Sequence, residues 1–258
     1  MKLIILAGGK GTRLSEETIL KPKPLVLVGG KPIIWHIMKH YSKFGVNEFI
    51  ICLGYKGNLL KEYFANYHLL NSDIEIDTFK DNYQILKKSK DKWKIKLVDT
   101  GEDTLTGGRI KKVLKYVAND EHFALTYGDG VSNIDINKQL IFHKKHKKIA
   151  TMCLVRPPGR FGAVVMNGNN VDKFIEKPQG DGSWVNGGFF ILSPKIKEYI
   201  KGSNSVWEQK PLENLSKDKQ LAGYFHKGFW YAMDTLRDQI YLDSLWNKSK
   251  APWKTWKD

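Results

Sequence analysis

A glycine-rich turn near the start of the chain has the residue types needed to hold a phosphate group. The apolar run Leu3 to Ala7 predicts a buried strand, and Gly8-Gly9-Lys10-Gly11-Thr12-Arg13 follows it directly. Because glycine lacks a side chain, several backbone N–H groups can approach one ligand here, with Lys10 and Arg13 adding positive charge. The alternative is an ordinary turn, since a short motif of this kind is only a hypothesis.

Two familiar phosphate-binding motifs do not fit this turn. A P-loop needs a lysine after its last glycine, whereas Lys10 precedes Gly11, and the dinucleotide fingerprint needs a third glycine where the chain has Leu14. The segment Lys21-Pro22-Lys23-Pro24 adds two lysines, each held on stiff extended backbone by the proline after it. The turn and the lysines together indicate a polyphosphate site of another kind.

An aspartate could bring a metal ion close to that phosphate. The run Phe123 to Tyr127 predicts a buried strand, and Asp129 follows it between Gly128 and Gly130. In an open α/β sheet, ligands bind at the carboxyl ends of the strands, which is where Asp129 would lie. A simple turn aspartate is the alternative, since Asp-Gly is a common turn pair.

The order of the elements predicts an α/β fold. The strand at residues 3–7 is followed by a helix from Pro32 to Gly45, a strand at 48–53 and a helix after Asn58. This alternation favours a parallel sheet with helices on both faces. Between Ile74 and Val98 the apolar residues recur with a period of two, which predicts added strands near a sheet edge, with Ile74 and Ile76 pointing inward.

Composition restricts the class of protein. A chain of 258 residues with 41% apolar residues can bury one large core. The net charge of +15 raises the possibility of nucleic-acid binding, but only five of the 42 basic residues are arginine. Aromatic residues do not interleave with the dispersed lysines, which argues against a nucleic-acid partner. No apolar run approaches the roughly 18 residues of a membrane span and no signal peptide is visible, so we predict a cytoplasmic protein without membrane contact.

The cysteines and two of the histidines give no sign of a metal site. Cys52 and Cys153 lie inside apolar runs and are predicted to be buried reduced thiols. His143 and His146 lie on a lysine-rich helix and are predicted to be surface residues. No carboxylate or thiol accompanies these two histidines, which argues against a metal there.

These motifs resemble the sugar-phosphate nucleotidylyltransferases, and the resemblance covers essentially the whole chain. It rests on Leu6 to Leu14, on Lys21-Pro22-Lys23-Pro24, on Glu176-Lys177-Pro178 and on Asn186-Gly187-Gly188. Val-Asp-Thr-Gly followed by Thr-Gly-Gly-Arg, ending at Arg109, is similar to the glucose-1-phosphate cytidylyltransferase branch of that family, as is the tryptophan-rich C-terminal tail. The family fold is a Rossmann-like α/β domain with a mixed, mostly parallel sheet flanked by helices.

The resemblance implies an activity and its partners. It implies Mg²⁺-dependent transfer of CMP from CTP to α-D-glucose 1-phosphate, giving CDP-glucose and pyrophosphate, in a homo-oligomeric enzyme. CDP-glucose in turn suggests the synthesis of deoxysugars for a surface polysaccharide such as lipopolysaccharide O-antigen. Use of UTP, dTTP or another phosphorylated acceptor is the alternative within the class, and a basic nucleic-acid-binding protein is the alternative from another class.

The resemblance also assigns roles to residues. Arg13 meets the departing pyrophosphate, Lys23 contacts the phosphates, and Asp129 and Asp234 hold the Mg²⁺. Asp234 could instead be only the N-cap of the helix that follows it. Lys10 stands where relatives often have an apolar or small residue, so it is not assigned to the catalytic set.

The remaining assignments divide the chain into two regions. We predict one domain over residues 1–258, in which 1–130 mainly binds the nucleotide and 150–240 mainly binds the sugar phosphate. The nucleotide-binding residues implied are Leu6, Ala7, Gly8, Gly9, Gly11, Thr12, Arg13, Lys23, Thr104, Arg109 and Gly128. The sugar-phosphate-binding residues implied are Glu176, Lys177, Asn186 and Gly187.

Overall fold

The computed structural model describes residues 1–11, 14, 18, 20–87, 89–157, 163–175 and 183–257, with only the backbone of 163–166 and 174–175. The strands over these residues are β1 (Leu3–Leu6), β2 (Leu27–Val28), β3 (Lys31–Pro32), β4 (Glu48–Leu53), β5 (Asp73–Asp77), β6 (Asn82–Lys87), β7 (Lys94–Asp99), β8 (Phe123–Tyr127), β9 (Gly130–Ser132), β10 (Ala150–Val155), β11 (Ala163–Asn167), β12 (Asn170–Ile175), β13 (Val185–Leu192), β14 (Leu221–Phe225) and β15 (Trp230–Ala232). The α-helices are α1 (Ile33–Lys43), α2 (Gly57–Ala65), α3 (Tyr67–Leu70), α4 (Thr106–Val113), α5 (Ile136–His146), α6 (Lys210–Lys217) and α7 (Leu236–Asn247).

A mixed, mostly parallel sheet forms the centre of the molecule, as predicted. Its strand order over the described residues is β14-β10-β13-β8-β1-β4-β7. Strand β1 is parallel to both of its neighbours, β4 and β8, and β7 is parallel to β4. Strand β13 is antiparallel to β8 and β10. The carboxyl ends of β1, β4, β7 and β8 therefore meet at one edge of the sheet.

Apolar side chains cover both faces of the central strands. In β1, Leu3 and Ile5 pack into the layer that contains α1, whereas Ile4 and Leu6 pack into the layer that contains α4. This division follows from the two-residue period of a strand. Cys52 and Cys153 are buried free thiols, as predicted. Over the described residues, no helix combines the length and the apolar character needed to cross a membrane.

The C-terminal tail packs against α1 as part of the core. Trp253 and Trp256 are 1% and 8% exposed. His36 on α1 is fully buried, and its Nε2 lies 2.8 Å from the carbonyl oxygen of Val28. Since a carbonyl only accepts, Nε2 donates this hydrogen bond, and Nδ1 accepts from Trp253 Nε1 at 3.3 Å. One neutral imidazole thus joins α1, the β2–β3 hairpin and the tail.

The prediction for the segment after residue 73 is only partly right. Strand β7 is an edge strand of the central sheet, as expected, but β5 and β6 form a separate two-stranded sheet. Ile76 is 65% exposed, so the prediction that it points inward is wrong. A period of two indicates a strand with one apolar face, but it does not say which sheet that strand joins.

His143 is not a surface residue, contrary to the prediction. Its side chain is 1% exposed, with Nδ1 2.8 Å from Thr151 Oγ1 and Nε2 3.1 Å from His122 Nδ1. Burial lowers the pKa of His143 to about 3, with the neighbouring His122 and His146 as further causes. Among the described residues, no group of three or more histidine, cysteine or carboxylate side chains is arranged to hold a metal ion.

We expect the free energy of unfolding to fall as the pH is lowered from about 6.5 to 4. Burial lowers the pKa of His36 to about 4, so below pH 6.5 the unfolded chain binds a proton that the folded chain excludes. This single group contributes about 1.4 kcal/mol per pH unit within that window. Urea unfolding across the range measures the slope.

The control replaces one histidine at a time. His36→Leu removes one such proton linkage and should lower the slope by about 1.4 kcal/mol per pH unit, while the buried His143 and His40, whose pKa values are also lowered, keep their own contributions. His68→Gln, at an exposed position on α3, should leave the slope unchanged. An unchanged slope in His36→Leu would show that His36 does not resist protonation in the folded chain.

Candidate active site

A cavity of about 540 Å³ lies at the edge where the carboxyl ends of the parallel strands meet. This volume is within the range of small-molecule sites. The walls come from the glycine turn, the Lys23 segment, the loop after β7, the start of α4 and the end of β8. The lining includes these predicted nucleotide-binding residues: Leu6, Ala7, Gly8, Gly9, Gly11, Lys23, Thr104, Arg109 and Gly128. Thr12 and Arg13 lie outside the described residues, as do Glu176 and Lys177.

Lys23, Asp129 and Asp234 converge at this cavity. The Lys23 Nζ lies 2.7 Å from Asp129 Oδ2 and 2.8 Å from Asp234 Oδ1. Lys23 is only 8% exposed. Burial lowers the pKa of its ammonium, but the charges and hydrogen bonds of the two aspartates outweigh burial and raise that pKa above its ordinary value. One cation is therefore held between two carboxylates that are far apart in the sequence.

Local structure explains how these three side chains meet. Lys23 begins a 3₁₀ turn, Lys23–Leu25, whose backbone is restricted by Pro22 and Pro24. Asp129 follows β8, and the short strand β9 after it pairs antiparallel with β15, so that Gly130 lies opposite Ala232. The backbone N–H of Met233 donates to the Asp129 carbonyl at 2.9 Å. This pairing brings Asp234 beside Asp129.

Asp234 is not the N-cap of α7. Thr235 occupies that position and forms a capping box with Asp238. The Asp238 carboxylate is 8% exposed and accepts from the backbone N–H groups of Asp234 and Thr235, at 3.0 and 2.8 Å, and from Tyr231 Oη at 3.0 Å. Asp238 therefore fixes the backbone of Asp234 and leaves the Asp234 side chain directed toward Lys23.

Arg109 stabilises the glycine turn through hydrogen bonds to backbone carbonyls. Its Nη2 donates to the carbonyls of Gly8 and Glu102, both at 2.9 Å, and its Nη1 lies within 2.9 Å of three oxygens on Leu53, Thr100 and Gly101. A Cβ at Gly8 would lie 2.3 Å from Nη1, which explains the glycine there. Arg109 thus joins the loops after β1, β4 and β7, and a direct contact with nucleotide stays a prediction.

Tyr127, Thr106 and Glu208 form a hydrogen-bonded group at the cavity wall that the sequence did not predict. Tyr127 Oη donates to Glu208 Oε1 at 2.5 Å, and Thr106 Oγ1 donates to Glu208 Oε2 at 2.7 Å. Burial raises the pKa of the Tyr127 hydroxyl, and the Glu208 carboxylate raises it further. The residues next to Glu208 in the sequence do not predict this role, because its hydrogen-bond partners lie on β8 and α4.

Asn186 and Gly187 lie at the start of β13, next to the same wall. Asn186 Oδ1 accepts from the Gly188 N–H at 2.8 Å, and the Gly187 carbonyl accepts from Trp230 Nε1 at 2.6 Å. Gly188 has a φ of 77°, and a Cβ there would lie 2.5 Å from the Tyr127 ring. The structure therefore places this pair beside Tyr127, and their contact with a sugar phosphate remains untested.

Lys10 lies on the cavity rim. Its Nζ is 3.8 Å from Glu102 Oε1 and 3.5 Å from Asp103 Oδ1, and its side chain is 54% exposed. Solvent weakens such exposed pairs. Lys10 therefore stands at the mouth of the cavity, away from the Lys23 cluster.

The fold is that of a nucleotidyl transferase. The family model for nucleotidyl transferases matches residues 2–248, so the chain belongs to that family. The chain is 54% identical over 256 residues to the glucose-1-phosphate cytidylyltransferase of Salmonella typhimurium, covering 99% of this chain and 100% of the relative. It is 45% identical over 257 residues to a probable glucose-1-phosphate cytidylyltransferase of Bacillus subtilis, and that match covers 99% of this chain and 100% of the relative.

Solved structures agree with this assignment of the fold. HddC from Yersinia pseudotuberculosis superposes with a TM-score of 0.67 at 25% identity, covering 95% of this chain and 99% of that one. A putative glucose-1-phosphate thymidylyltransferase from Bacillus anthracis superposes with a TM-score of 0.68 at 18% identity, covering 100% of this chain and 98% of that one. The predicted fold class is confirmed.

We expect Asp238→Ala to lower both stability and activity. Losing a helix cap costs about 1 kcal/mol, and here it also frees the backbone of Asp234. Asp135→Ala is the matched control, because Asp135 caps α5 by accepting from the Lys138 N–H and does not touch the Lys23 cluster. Urea unfolding should show a similar loss in both variants, while turnover falls only in Asp238→Ala. Equal turnover in the two variants would show that Asp238 acts only within the capping box of α7.

Proposed function

We propose that this chain transfers CMP from CTP to α-D-glucose 1-phosphate, giving CDP-glucose and pyrophosphate. The observation that carries the proposal is the convergence of Lys23, Asp129 and Asp234 beside a glycine turn, in a cavity of nucleotide size. The identity of 54% to a relative named for this reaction, over the full length of both chains, supports the choice of substrates. Location in the cytoplasm, where CTP is available, and assembly as a homo-oligomer are part of the proposal.

The reaction needs no covalent intermediate with the protein. A phosphate oxygen of glucose 1-phosphate attacks the α-phosphorus of CTP, a new P–O bond forms, and the bond to the leaving pyrophosphate breaks. The nucleophile is already an anion, so the protein contributes alignment and positive charge instead of a base. The Lys23 ammonium, buried and raised in pKa, supplies a fixed positive charge at the phosphates. Arg13 is proposed to meet the departing pyrophosphate.

Asp129 and Asp234 fit a site for Mg²⁺. The two substrates bring roughly five to six negative charges into one cavity, and two further carboxylates would repel them unless a cation intervened. Mg²⁺ commonly takes one or two carboxylates together with phosphate oxygens and water. Both carboxylates already contact a single ammonium, so the pair is arranged around a cation. The bound ion would neutralise charge on the phosphates.

The sugar phosphate is proposed to bind on the side of the cavity formed by β13. Glu176 offers an acceptor for sugar hydroxyls and Lys177 a cation for the phosphate, in a segment outside the described residues. Asn186 and Gly187 lie beside Tyr127, which itself lines the cavity. This arrangement puts the acceptor next to the nucleotide without requiring a second cavity.

A pyrophosphate-release screen tests the proposed reaction. Each of CTP, UTP, dTTP, ATP and GTP is offered with each of several sugar 1-phosphates, and the products are identified by mass. We expect release only when CTP and glucose 1-phosphate are present together. Preference for another nucleotide would keep the class of reaction and overturn the choice of CTP, whereas no release with any pair would overturn the class.

We expect Asp129→Asn and Asp234→Asn each to remain folded and to lose about 10²- to 10³-fold in turnover. Each single variant keeps one carboxylate for the buried Lys23, which preserves the fold. Because both aspartates act through one ion, the turnover of the double variant, measured per folded protein because Lys23 then has neither carboxylate, should be little worse than that of either single one. Steady-state rates and Mn²⁺ binding by electron paramagnetic resonance measure the two effects. Losses that multiply in the double variant, or unchanged Mn²⁺ binding, would contradict a shared ion.

A further inference from the structure

A second cavity, of about 670 Å³, lies at the end of the central sheet opposite to the active-site cavity. His122 lines this second cavity and precedes β8, whereas Gly128 and Asp129 follow β8 and line the active-site cavity. The volume is within the range of small-molecule sites. The two cavities have no lining residue in common, so a ligand in the second cavity would bind without touching the Lys23 cluster.

Four lysines from two separate segments line the second cavity. Lys144, Lys147 and Lys148 come from the last turn of α5 and the residues after it, and Lys195 comes from the segment that follows β13. Cations near the C-terminal end of a helix interact favourably with the helix dipole, which accounts for lysines at the end of α5. The helix dipole does not account for Lys195, which adds its charge to the same cavity from another element.

Two carboxylates also line the second cavity, and one of them is already paired. Glu121 Oε1 lies 3.0 Å from His122 Nε2, and Glu121 Oε2 lies 3.5 Å from Lys144 Nζ. His122 and Lys144 hold the pKa of Glu121 below its ordinary value. Over the part of the chain that the structure describes, Glu198 and the other three lysines of the cavity form no ion pair. Four lysines and two carboxylates leave an excess of two positive charges.

A chain of hydrogen bonds fixes His122 in the cavity wall. Burial lowers the pKa of His143 to about 3 and lowers that of His146, so both rings are neutral at pH 7. His146 Nδ1 accepts from the Lys148 N–H at 2.9 Å, so its Nε2 carries the hydrogen and donates to Thr151 Oγ1 at 2.7 Å. The buried Thr151 hydroxyl donates to His143 Nδ1 at 2.8 Å, and His143 Nε2 donates to His122 Nδ1 at 3.1 Å. His122 therefore faces its carboxylate partner with the hydrogen on Nε2.

This chain of hydrogen bonds has a consequence for the charge of the cavity. Because His122 and Lys144 hold Glu121, that carboxylate is kept from the lysines that have no ion pair. A concave surface lined mainly by one sign of charge concentrates the field and attracts counter-ions. Lys147, Lys148 and Lys195 are therefore available to an anion that enters the cavity.

We propose that the second cavity binds a phosphate group, either free or as the phosphate ester of a small metabolite. A phosphate monoester carries about −1.5 to −2 charges at pH 7, which matches the excess of positive charge in the cavity. Lysine ammonium groups form strong charge-assisted hydrogen bonds to phosphate oxygens. The volume of the cavity exceeds that of a phosphate alone and accommodates the organic part of an ester. The bound phosphate joins the end of α5 to the segment after β13.

NMR spectra of the full chain with isotope-labelled histidine rings test the proposal. The structure describes all seven histidines, and none of them lines the active-site cavity, whereas His122 and His143 line the second cavity. Inorganic phosphate and glucose 6-phosphate are added separately at constant pH and ionic strength. We expect saturable shifts of these two rings, with a dissociation constant on the order of 1 mM or lower. Tighter binding of the ester than of inorganic phosphate identifies a metabolite, and equal or weaker binding identifies free phosphate.

Two double variants separate a site in the cavity from the effect of net charge. Lys148→Gln with Lys195→Gln removes two charges from the cavity and should raise the dissociation constant at least about 10-fold. Lys145→Gln with Lys197→Gln is the matched control, because it removes two charges from the same two segments at lysines that do not line the cavity. Circular dichroism establishes that each variant is folded. Shifts that are absent, that do not saturate, or that weaken equally in both double variants would overturn the proposal.

Acetylation of lysine amines gives a second measurement on the unaltered chain. Bound phosphate should slow the modification of Lys147, Lys148 and Lys195 by an acetylating reagent, in proportion to the occupied fraction of the cavity. Lys145 and Lys197 should react at the same rate with and without the ligand. Mass spectrometry of the peptides measures each rate, and unchanged rates at all five lysines would overturn the proposal. Neither measurement uses turnover, so both are independent of the proposed reaction.

Discussion

The ammonium of Lys23 between two aspartates is the interaction on which the site depends. Two carboxylates facing one partly buried space would repel each other, and a buried ammonium without partners would be equally unfavourable. The Lys23 Nζ lies 2.7 Å from one carboxylate and 2.8 Å from the other, so the three charges stabilise each other. The edge of the cavity therefore holds one ammonium and two carboxylates in direct contact.

The rest of the fold fixes the three backbones that carry those charges. The β9–β15 pair aligns the two aspartate segments, and Asp238 holds the turn that contains Asp234. On the other side, α7 binds the hairpin that follows Lys23, because Asp243 Oδ1 accepts from the Gly29 N–H at 2.7 Å. The segments that carry the three charges are thus each fixed by hydrogen bonds to another element. Arg109 fixes the glycine turn in a similar way, by donating to the Gly8 carbonyl.

The sequence predicts the parts of the site that follow buried strands. The glycine turn comes after β1 and Asp129 after β8, and both strands show as apolar runs ended by glycine. Asp234 could be placed with them only through the resemblance to known enzymes, because nothing near it in the sequence indicates the β9–β15 pairing. Asp238 and Glu208 were missed for the same reason, since their roles come from partners on other elements.

The errors have a common physical origin. Periodicity reports which face of an element is apolar, but it does not report what covers that face. The alternation around Ile76 therefore predicted an inward side chain where the separate β5–β6 sheet leaves it exposed. The lysines around His143 predicted a surface position, although the helix turns that histidine toward Thr151.

The long separations along the chain at the site have a consequence for how the protein is made. Lys23 meets Asp129 across 106 residues and Asp234 across 211, and His36 meets Trp253 across 217. Contacts this distant in sequence form late and make folding slow. During synthesis, the glycine turn and Lys23 leave the ribosome well before Asp129, and Asp234 emerges only after β15. A nascent chain that has not yet reached Asp234 therefore leaves the Lys23 ammonium with only one of its two carboxylates, and the charged cluster closes only after β15 has been made.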